Sequence, residues 1–251
     1  MEKKKILKKN PLVSIITVVK NDEKYLQETI ESIIDQSYKN FEYIIVDGKS
    51  TDNTLKIIKK NDKHVDFWIS ENDKGIYDAF NKGQDLARGK FIVFVNSGDL
   101  LTRNAIKMFN DYYRKNLNID FLFGSVKKHW GTLYGYKPWK IYFSWGFYTS
   151  HSTGFFIKRK IAKKIGKYNL KYTYSADYDY FYRMIVVHKF KGIGTKKNEL
   201  FGIFRPGGFS SKIKFIDHFF ETIKIRLDNK QNKFLVLFIF ILKFLKNIRK
   251  I

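Results

Sequence analysis

Short apolar runs and amphipathic stretches take turns along the first hundred residues. "LVSIITVV", Leu12 to Val19, is a continuous β-branched run, the signature of a strand buried on both faces. Asn21 or Asp22 can cap the next stretch, where Leu26, Ile30, Ile33 and Ile34 recur at helical spacing. "FEYIIV" (Phe41–Val46) predicts a second strand, and Leu55, Ile57 and Ile58 supply the apolar residues of a short helix. "VDFWIS" (Val65–Ser70) predicts a third strand. The following pattern predicts a helix that buries Ile76, Phe80 and Leu86 and is stopped by Gly89. "KFIVFV" (Lys90–Val95) predicts a fourth strand.

This succession implies an α/β fold, a Rossmann-like, mostly parallel sheet flanked by helices. In such sheets ligands bind beyond the carboxyl ends of the strands. Those ends carry residues 17–22, 47–52, 70–74 and 96–99, so carboxylates and hydroxyls collect on one rim. The second half is less regular. Strands are predicted at Ile119–Val126, His151–Ile157 and Glu199–Phe204, and a helix at Ala176–Val187. Residues 129–150 are aromatic and Gly-rich without a clear period, and no internal repeat is present. The pattern divides into one domain over 11–211 and a basic, amphipathic helical tail over 212–251.

Charge adds a partner class. With 48 basic against 24 acidic residues, the formal charge of +24 calls for an anionic partner. The absence of cysteine excludes disulfides and thiolate metal sites. "MEKKKILKKNP" lacks the apolar segment and cleavage site of a signal peptide. The longest apolar run, Phe234 to Leu245, is interrupted by Lys243 and is shorter than the roughly 20 residues that span a bilayer. A cytoplasmic protein, peripheral on the inner face of the plasma membrane, is expected.

Two nucleotide-binding designs fail on spacing. A dinucleotide fingerprint needs Gly-x-Gly-x-x-Gly after the first strand, where "VVKNDEKYL" has no glycine. "VDGKSTDNT" contains Gly-Lys-Ser-Thr, but the earlier glycine of a P-loop falls on Tyr43, inside the second strand. A site built from side chains remains. Asp47, at a strand end, can accept from a base N–H or a ribose hydroxyl. Ser50, Thr51 and Asp52 either join it or cap the next helix. Asp99 follows Gly98 in "FVNSGDLL" and can hold magnesium or manganese if a diphosphate supplies the other oxygens.

These residues carry a resemblance. "PLVSIITVVKNDEKYLQETIESIIDQSYKNFEYIIVDGKSTDNT" resembles the N-terminal signature of the family 2 nucleotide-sugar glycosyltransferases. The likeness continues through "SENDKGIYDAFNKGQDLARGKFIVFVNSGD" and returns at "HSTGFF", "ADYDYFYR" and "FRPGGFS". The variants "DKGIYDAFNKG" and "NSGD" are similar to the subgroup that builds bacterial surface polysaccharides. The resemblance implies a GT-A fold, a nucleoside-diphosphate sugar donor, typically uridine-linked, and a glycan or lipid-linked acceptor. It implies that Thr17 lies at the nucleotide edge and that Asp47 recognises the base. Asp73 and Lys74 fall where the family approaches the nucleotide and diphosphate. Asn96 and Asp99 match the first and last positions of the Asp-x-Asp-type metal motif, and the amide at Asn96 removes one negative charge. Asp177 matches the general base, with Ala176 in place of a neighbouring glutamate.

Three further residues are candidates with open alternatives. His151 can bind metal, diphosphate or acceptor, or be structural. Asp179 points roughly 200° away from Asp177 around a helix, so both cannot aim at one atom; it either contacts ligand or stabilises the helix N-terminus. Arg205, beside Gly207 and Gly208, can cover a leaving diphosphate or sit in an ordinary turn. Arg183 is expected to pair with an acid of its own segment. In the tail, Lys243, Lys246, Arg249 and Lys250 suggest an in-plane helix on an anionic membrane, or a helix packed on the domain or a partner chain. No nucleic-acid-binding module is recognisable. The expected function is an inverting glycosyltransferase. The alternative is a catalytically inactive transferase-like protein acting as a basic membrane- or nucleic-acid-binding module.

Overall fold

The first strand, buried at every position, lies in the interior of the sheet, as its pattern requires. A computed structural model describes residues 10–144, 147, 149, 151–208 and 214–247. In chain order its elements begin β1 (Val13–Val19), α1 (Leu26–Ile34), β2 (Phe41–Asp47), α2 (Thr54–Lys60), β3 (Phe67–Ser70), α3 (Ile76–Leu86) and β4 (Phe91–Phe94). Next come β5 (Leu100–Leu101), α4 (Ala105–Lys115), β6 (Phe121–Phe123), β7 (Ser125–Lys128), β8 (Gly131–Leu133) and α5 (Trp139–Phe143). The chain continues with β9 (Phe155–Lys158), α6 (Arg159–Ile165), α7 (Ala176–Tyr182), β10 (Gly192–Gly194), β11 (Leu200–Ile203), α8 (Phe215–Asp228) and α9 (Lys233–Asn247).

Seven strands form the main sheet in the order β10-β6-β9-β4-β1-β2-β3. Successive side chains of a strand face opposite sides. Accordingly Ile16 and Val18 of β1 join one apolar core, while Val13, Ile15 and Val19 join the other. The core on one face is completed from α3, α6 and α7, that on the other from α1 and α4. Each fully buried Val or Ile contributes about 1.5–3 kcal/mol, which holds this central strand in register.

Only β9 runs against its neighbours, antiparallel to both β4 and β6. The reversal has a functional consequence. The segment that enters β9, residues 151–154, lies at the same edge as the carboxyl ends of β1, β2 and β4. The strand predicted at 151–157 is therefore a 3-10 turn (Ser152–Gly154) followed by β9.

The strand predicted at Ile119–Val126 is two strands in two sheets. A side chain at Gly124 would come within 2.5 Å of the Phe201 ring, so only glycine lets the chain turn there. Beyond it β7 joins a second sheet of order β5-β11-β7-β8. Gly89 also has a different role from the predicted helix stop. Helix α3 ends at Leu86, and a Cβ at Gly89 would lie 2.4 Å from the Ser14 nitrogen. Its N–H instead donates to Ser14 Oγ and Glu42 Oε1.

The tail is built into the domain for half its length. Glu221 of α8 accepts from the Thr173 and Tyr174 N–H groups. Arg226 is fully buried and donates to the carbonyls of Ile141, Tyr142 and Ser144. The predicted boundary at 211/212 lies outside the described residues, as do Arg249 and Lys250. Lys243 departs from the expected outward cationic face. It is 4% exposed, and its ammonium lies 5.2–5.9 Å from the ring centroids of Phe240, Phe219 and Phe215.

Candidate functional site

The rim begins with two laced loops. The turn after β1 and the turn after β2 share a set of short polar bonds. Asn21 Oδ1 accepts from Thr51 N–H, Asp52 Oδ2 from Glu23 N–H, and Glu23 Oε2 from Asn53 N–H. Asp52 Oδ1 also accepts from Thr54 N–H at the start of α2. The Ser-Thr-Asp-Asn run therefore fixes the loops against each other.

Asp47 is fully buried at the end of β2. Its carboxylate accepts from the Ser50 N–H and hydroxyl and from the Ser70 hydroxyl at 2.6 Å. A carboxylate has about four acceptor positions, so one more donor can be received. Thr17 lies below the rim, buried, and its hydroxyl accepts from Tyr43 at 3.0 Å. Asp73 sits directly over Gly48. Any Cβ at Gly48 would be 2.2 Å from Asp73 Oδ2. The Asp73 side chain is 6% exposed and lies 3.9 Å from Lys20 Nζ. Lys74 is exposed, and its N–H donates to Asp78.

Asp99 lies at the junction of the two sheets, between β4 and β5, and is 3% exposed. Its Oδ2 accepts from Thr153 Oγ1 at 3.1 Å and lies 3.4 Å from His151 Nδ1. Its Oδ1 accepts from the Arg205 N–H at 3.2 Å. Burial pushes the Asp99 carboxyl up to about 7 and the His151 imidazole down to about 3, with Lys128 adding to the second effect. The contact has the spacing of an ion pair, but burial disfavours the charged form of both groups. Asn96 Nδ2 donates to Ser152 Oγ at 3.3 Å, and Ser152 Oγ lies 3.1 Å from His151 Nδ1. The buried Asn96 Oδ1 has no protein partner among the described residues.

This set fits a divalent cation held in part by a ligand. Two ligands at about 2.1 Å from one ion stand roughly 3–3.4 Å apart, the spacing of Asp99 and His151. The orphaned Asn96 oxygen adds a neutral acceptor nearby. No group of three or more His, Cys, Asp or Glu is assembled for a metal among the described residues. Remaining ligands would have to come from a diphosphate and water.

Asp177 opens the first turn of α7. It is solvent-accessible yet crowded by protein atoms, as a residue on the wall of a cleft is. Its Oδ1 accepts from Tyr178 N–H at 2.8 Å and lies 3.2 Å from the Tyr77 hydroxyl, which is also 3.1 Å from the Tyr174 carbonyl. Burial raises the carboxyl above its ordinary value, against the pull of these two donors. Asp179 faces the other way, as helical geometry predicts. It is 2% exposed, pairs with Arg183 Nε at 2.8 Å and accepts from Asn229 Nδ2 at 3.0 Å. It is thus tied to the α8–α9 turn rather than to the rim.

Arg205 reaches the rim with its backbone. Its guanidinium pairs with Glu28 and lies 4.2 Å from the Tyr25 ring centroid. Lys128 was not a candidate on sequence. It ends β7, and its ammonium lies 4.0 Å from the Phe204 ring centroid, in electrostatic contact with both Asp99 and Asp177. A lysine within a lysine-rich chain carries no signal of its own, and only the second sheet brings it here. Tyr77 was also missed, because its place on the helical stripe reads as core. A cavity of about 550 Å3 at the opposite edge of the sheet, lined by Lys90, Tyr113, Lys158, Arg159 and Lys163, contains none of these groups.

A sequence profile described as Glycosyl transferase family 2 matches residues 14–184. An uncharacterized glycosyltransferase of Methanocaldococcus jannaschii is 34% identical over 190 residues, 70% of this chain and 65% of that one. The Escherichia coli UDP-Glc:alpha-D-GlcNAc-diphosphoundecaprenol beta-1,3-glucosyltransferase WfgD is 35% identical over 117 residues, 46% of each chain. The chain spans less than two thirds of the length of these curated relatives. Among solved structures, S. aureus TarS 1-349 in complex with UDP is similar with a TM-score of 0.67. It is 18% identical, and the match covers 86% of this chain and 64% of that one. Strand order, reversed β9 and profile agree: the chain belongs to glycosyl transferase family 2 and has the GT-A fold of those glycosyltransferases.

Proposed function

We propose that the protein is an inverting glycosyltransferase that moves a sugar from a uridine-diphosphate donor to a hydroxyl of a lipid-linked or glycan acceptor, in the building of bacterial surface polysaccharide. One observation carries this reading. Asp99 with His151, and Asp177 with a second oxygen that has no protein partner among the described residues, lie within electrostatic reach of the same Lys128 at the edge where ligands of such sheets bind. The UDP bound by TarS and the lipid-linked acceptor in WfgD's name support the choice of substrates.

The roles follow from position. Asp47 and Asp73 accept from the base and ribose, with Lys74 at the mouth and Thr17 supporting Tyr43 beneath them. Asn96, Asp99 and His151 face the diphosphate. Asp99 and His151 would hold magnesium or manganese, which would supply charge neutralisation for the departing diphosphate. Arg205 exchanges Glu28 for phosphate oxygens. Asp177 takes the proton of the acceptor hydroxyl as it attacks, and its lack of a covalent-nucleophile role gives inversion.

The test is a panel of nucleotide sugars screened for thermal stabilisation with and without manganese, followed by NMR of the product anomer. Uridine sugars should stabilise the wild type and fail to stabilise Asp73→Ala and Asp99→Ala. Absence of stabilisation of the wild type by every nucleotide sugar refutes the reading.

The same proposal sets the protein on an anionic membrane at its cytoplasmic face. No helix among the described residues is long and apolar enough to cross one. Yet α9 leaves Phe234 83%, Leu237 60% and Phe238 62% exposed, on a chain of charge +24. Such a face with basic surroundings suits in-plane binding. Phe238→Glu with Leu245→Glu should abolish cosedimentation with phosphatidylglycerol vesicles, and full retention rejects this part.

A further inference from the structure

We infer that Lys128 is a protein cation that binds the donor's diphosphate, sharing with Arg205 and any divalent ion the neutralisation of the leaving group. The inference rests on the glycosyltransferase reading and adds a binding role for a residue to which that reading assigns none.

The backbone fixes where the ammonium stands. Strands β7 and β11 are parallel, with Ile203 opposite Lys127. The chain leaves β11 through Phe204, whose N–H donates to the Lys127 carbonyl at 2.8 Å. The next N–H, of Arg205, holds Asp99. Phe204 is therefore a wall shared by two groups. The Lys128 ammonium lies 4.0 Å from its ring centroid, and the His151 ring stands against it at 4.7 Å between centroids. The cation is thus set beside the Asp99–His151 pair on a rigid strand.

Its bonding is incomplete in a particular way. Lys128 contacts the rings of Phe204 and Trp130, and no carbonyl or carboxylate accepts from its ammonium among the described residues. Half-buried, the ammonium keeps its three donors for solvent or for an arriving anion. Arg205 differs, because Glu28 already engages it. Asn96 contributes no charge, and Asp99 and His151 offer a metal only two protein ligands. A diphosphate entering this site meets in Lys128 a cation that no carboxylate engages among the described residues. Lysine suits the task as a compact point charge for phosphate.

Calorimetric titration of uridine, UMP and UDP, in EDTA and then in manganese, tests the inference on wild type, Lys128→Gln and Lys128→Arg. A lost charge-assisted contact corresponds to about tenfold or more in affinity. Lys128→Gln should therefore lose about tenfold or more for UDP in EDTA and less than about twofold for uridine. Lys128→Arg should recover part of the UDP affinity. Equal losses for UDP and uridine, or UDP binding within about twofold of wild type, would overturn it. Wild type that does not bind UDP overturns the functional reading, and this inference with it; wild type that binds UDP while Lys128→Gln is indifferent overturns this inference alone.

Discussion

Asp177→Asn tests the catalytic assignment with little structural disturbance. Asp177 Oδ1 receives the Tyr178 N–H and faces the Tyr77 hydroxyl, and asparagine can keep an oxygen in that place. The other carboxylate oxygen has no protein partner among the described residues and is the one free to take a proton. An amide nitrogen there cannot. A positioned general base contributes about 10²–10⁴-fold, so the barrier should rise by about 3–5 kcal/mol. The assay is initial-rate release of nucleoside diphosphate from the stabilising donor, with UDP affinity and Tm measured in parallel. Turnover should fall by that factor while affinity and Tm hold. A variant keeping more than about a tenth of wild-type turnover refutes the assignment. The pH profile provides a second reading. Burial raises the Asp177 carboxyl, and a base works only when ionised, so turnover is lost as pH falls through that raised value. Tyr77→Phe removes a donor to the ionised form and should move the acid limb to higher pH. A move to lower pH contradicts the argument.

Three further outcomes follow from contacts already described. Gly48→Ala puts a methyl against Asp73, so it should weaken UDP binding in calorimetry while Tm changes little. Asp179→Ala leaves Arg183 without its buried partner and should cost about 3–5 kcal/mol in denaturant unfolding. Lys243→Met should stabilise the fold at pH 7. Burial holds Lys243 down at about 8, from 10.5, so between those values the unfolded chain binds more protons and wild-type stability rises with pH. The corresponding penalty below pH 8 is on the order of 3 kcal/mol before the cation–π contacts return part of it. Urea unfolding at pH 7 and 9.5 should show that slope in wild type and not in the variant.

The opening half of the fold was legible because one rule applied repeatedly. β1, β2, β3 and β4 are runs dominated by apolar residues, and β1, β2 and β4, buried throughout, leave no ambiguity of face. Their carboxyl ends could be named at once, and with them Asp47, Asp73 and Asp99. Periodicity could not distinguish a helix stop from a close approach at Gly89, nor one strand from two around Gly124. In both places the reason is a neighbour remote in sequence, Ser14 in one case and Phe201 in the other. Helix α4 lay unread for another reason: its buried stripe is short, formed by Ala105, Ile106 and Phe109, among polar residues.

The candidate site divides along the same line. Residues that reach the rim from the ends of the parallel strands announce themselves by type and position. Residues that reach it from the second sheet do not, because nothing in "GSVKKHW" fixes which lysine faces inward until β7 is paired with β11. That pairing also decides Arg205, whose backbone rather than guanidinium holds Asp99. The reversed β9 does the same for His151, a residue whose neutral imidazole had several possible roles until its turn was set beside Asp99. The acid side of the site is therefore local in sequence, and its cationic side is a product of topology. Exchanging lysines along the chain by composition alone would preserve the +24 charge and lose an ammonium in electrostatic contact with both acids.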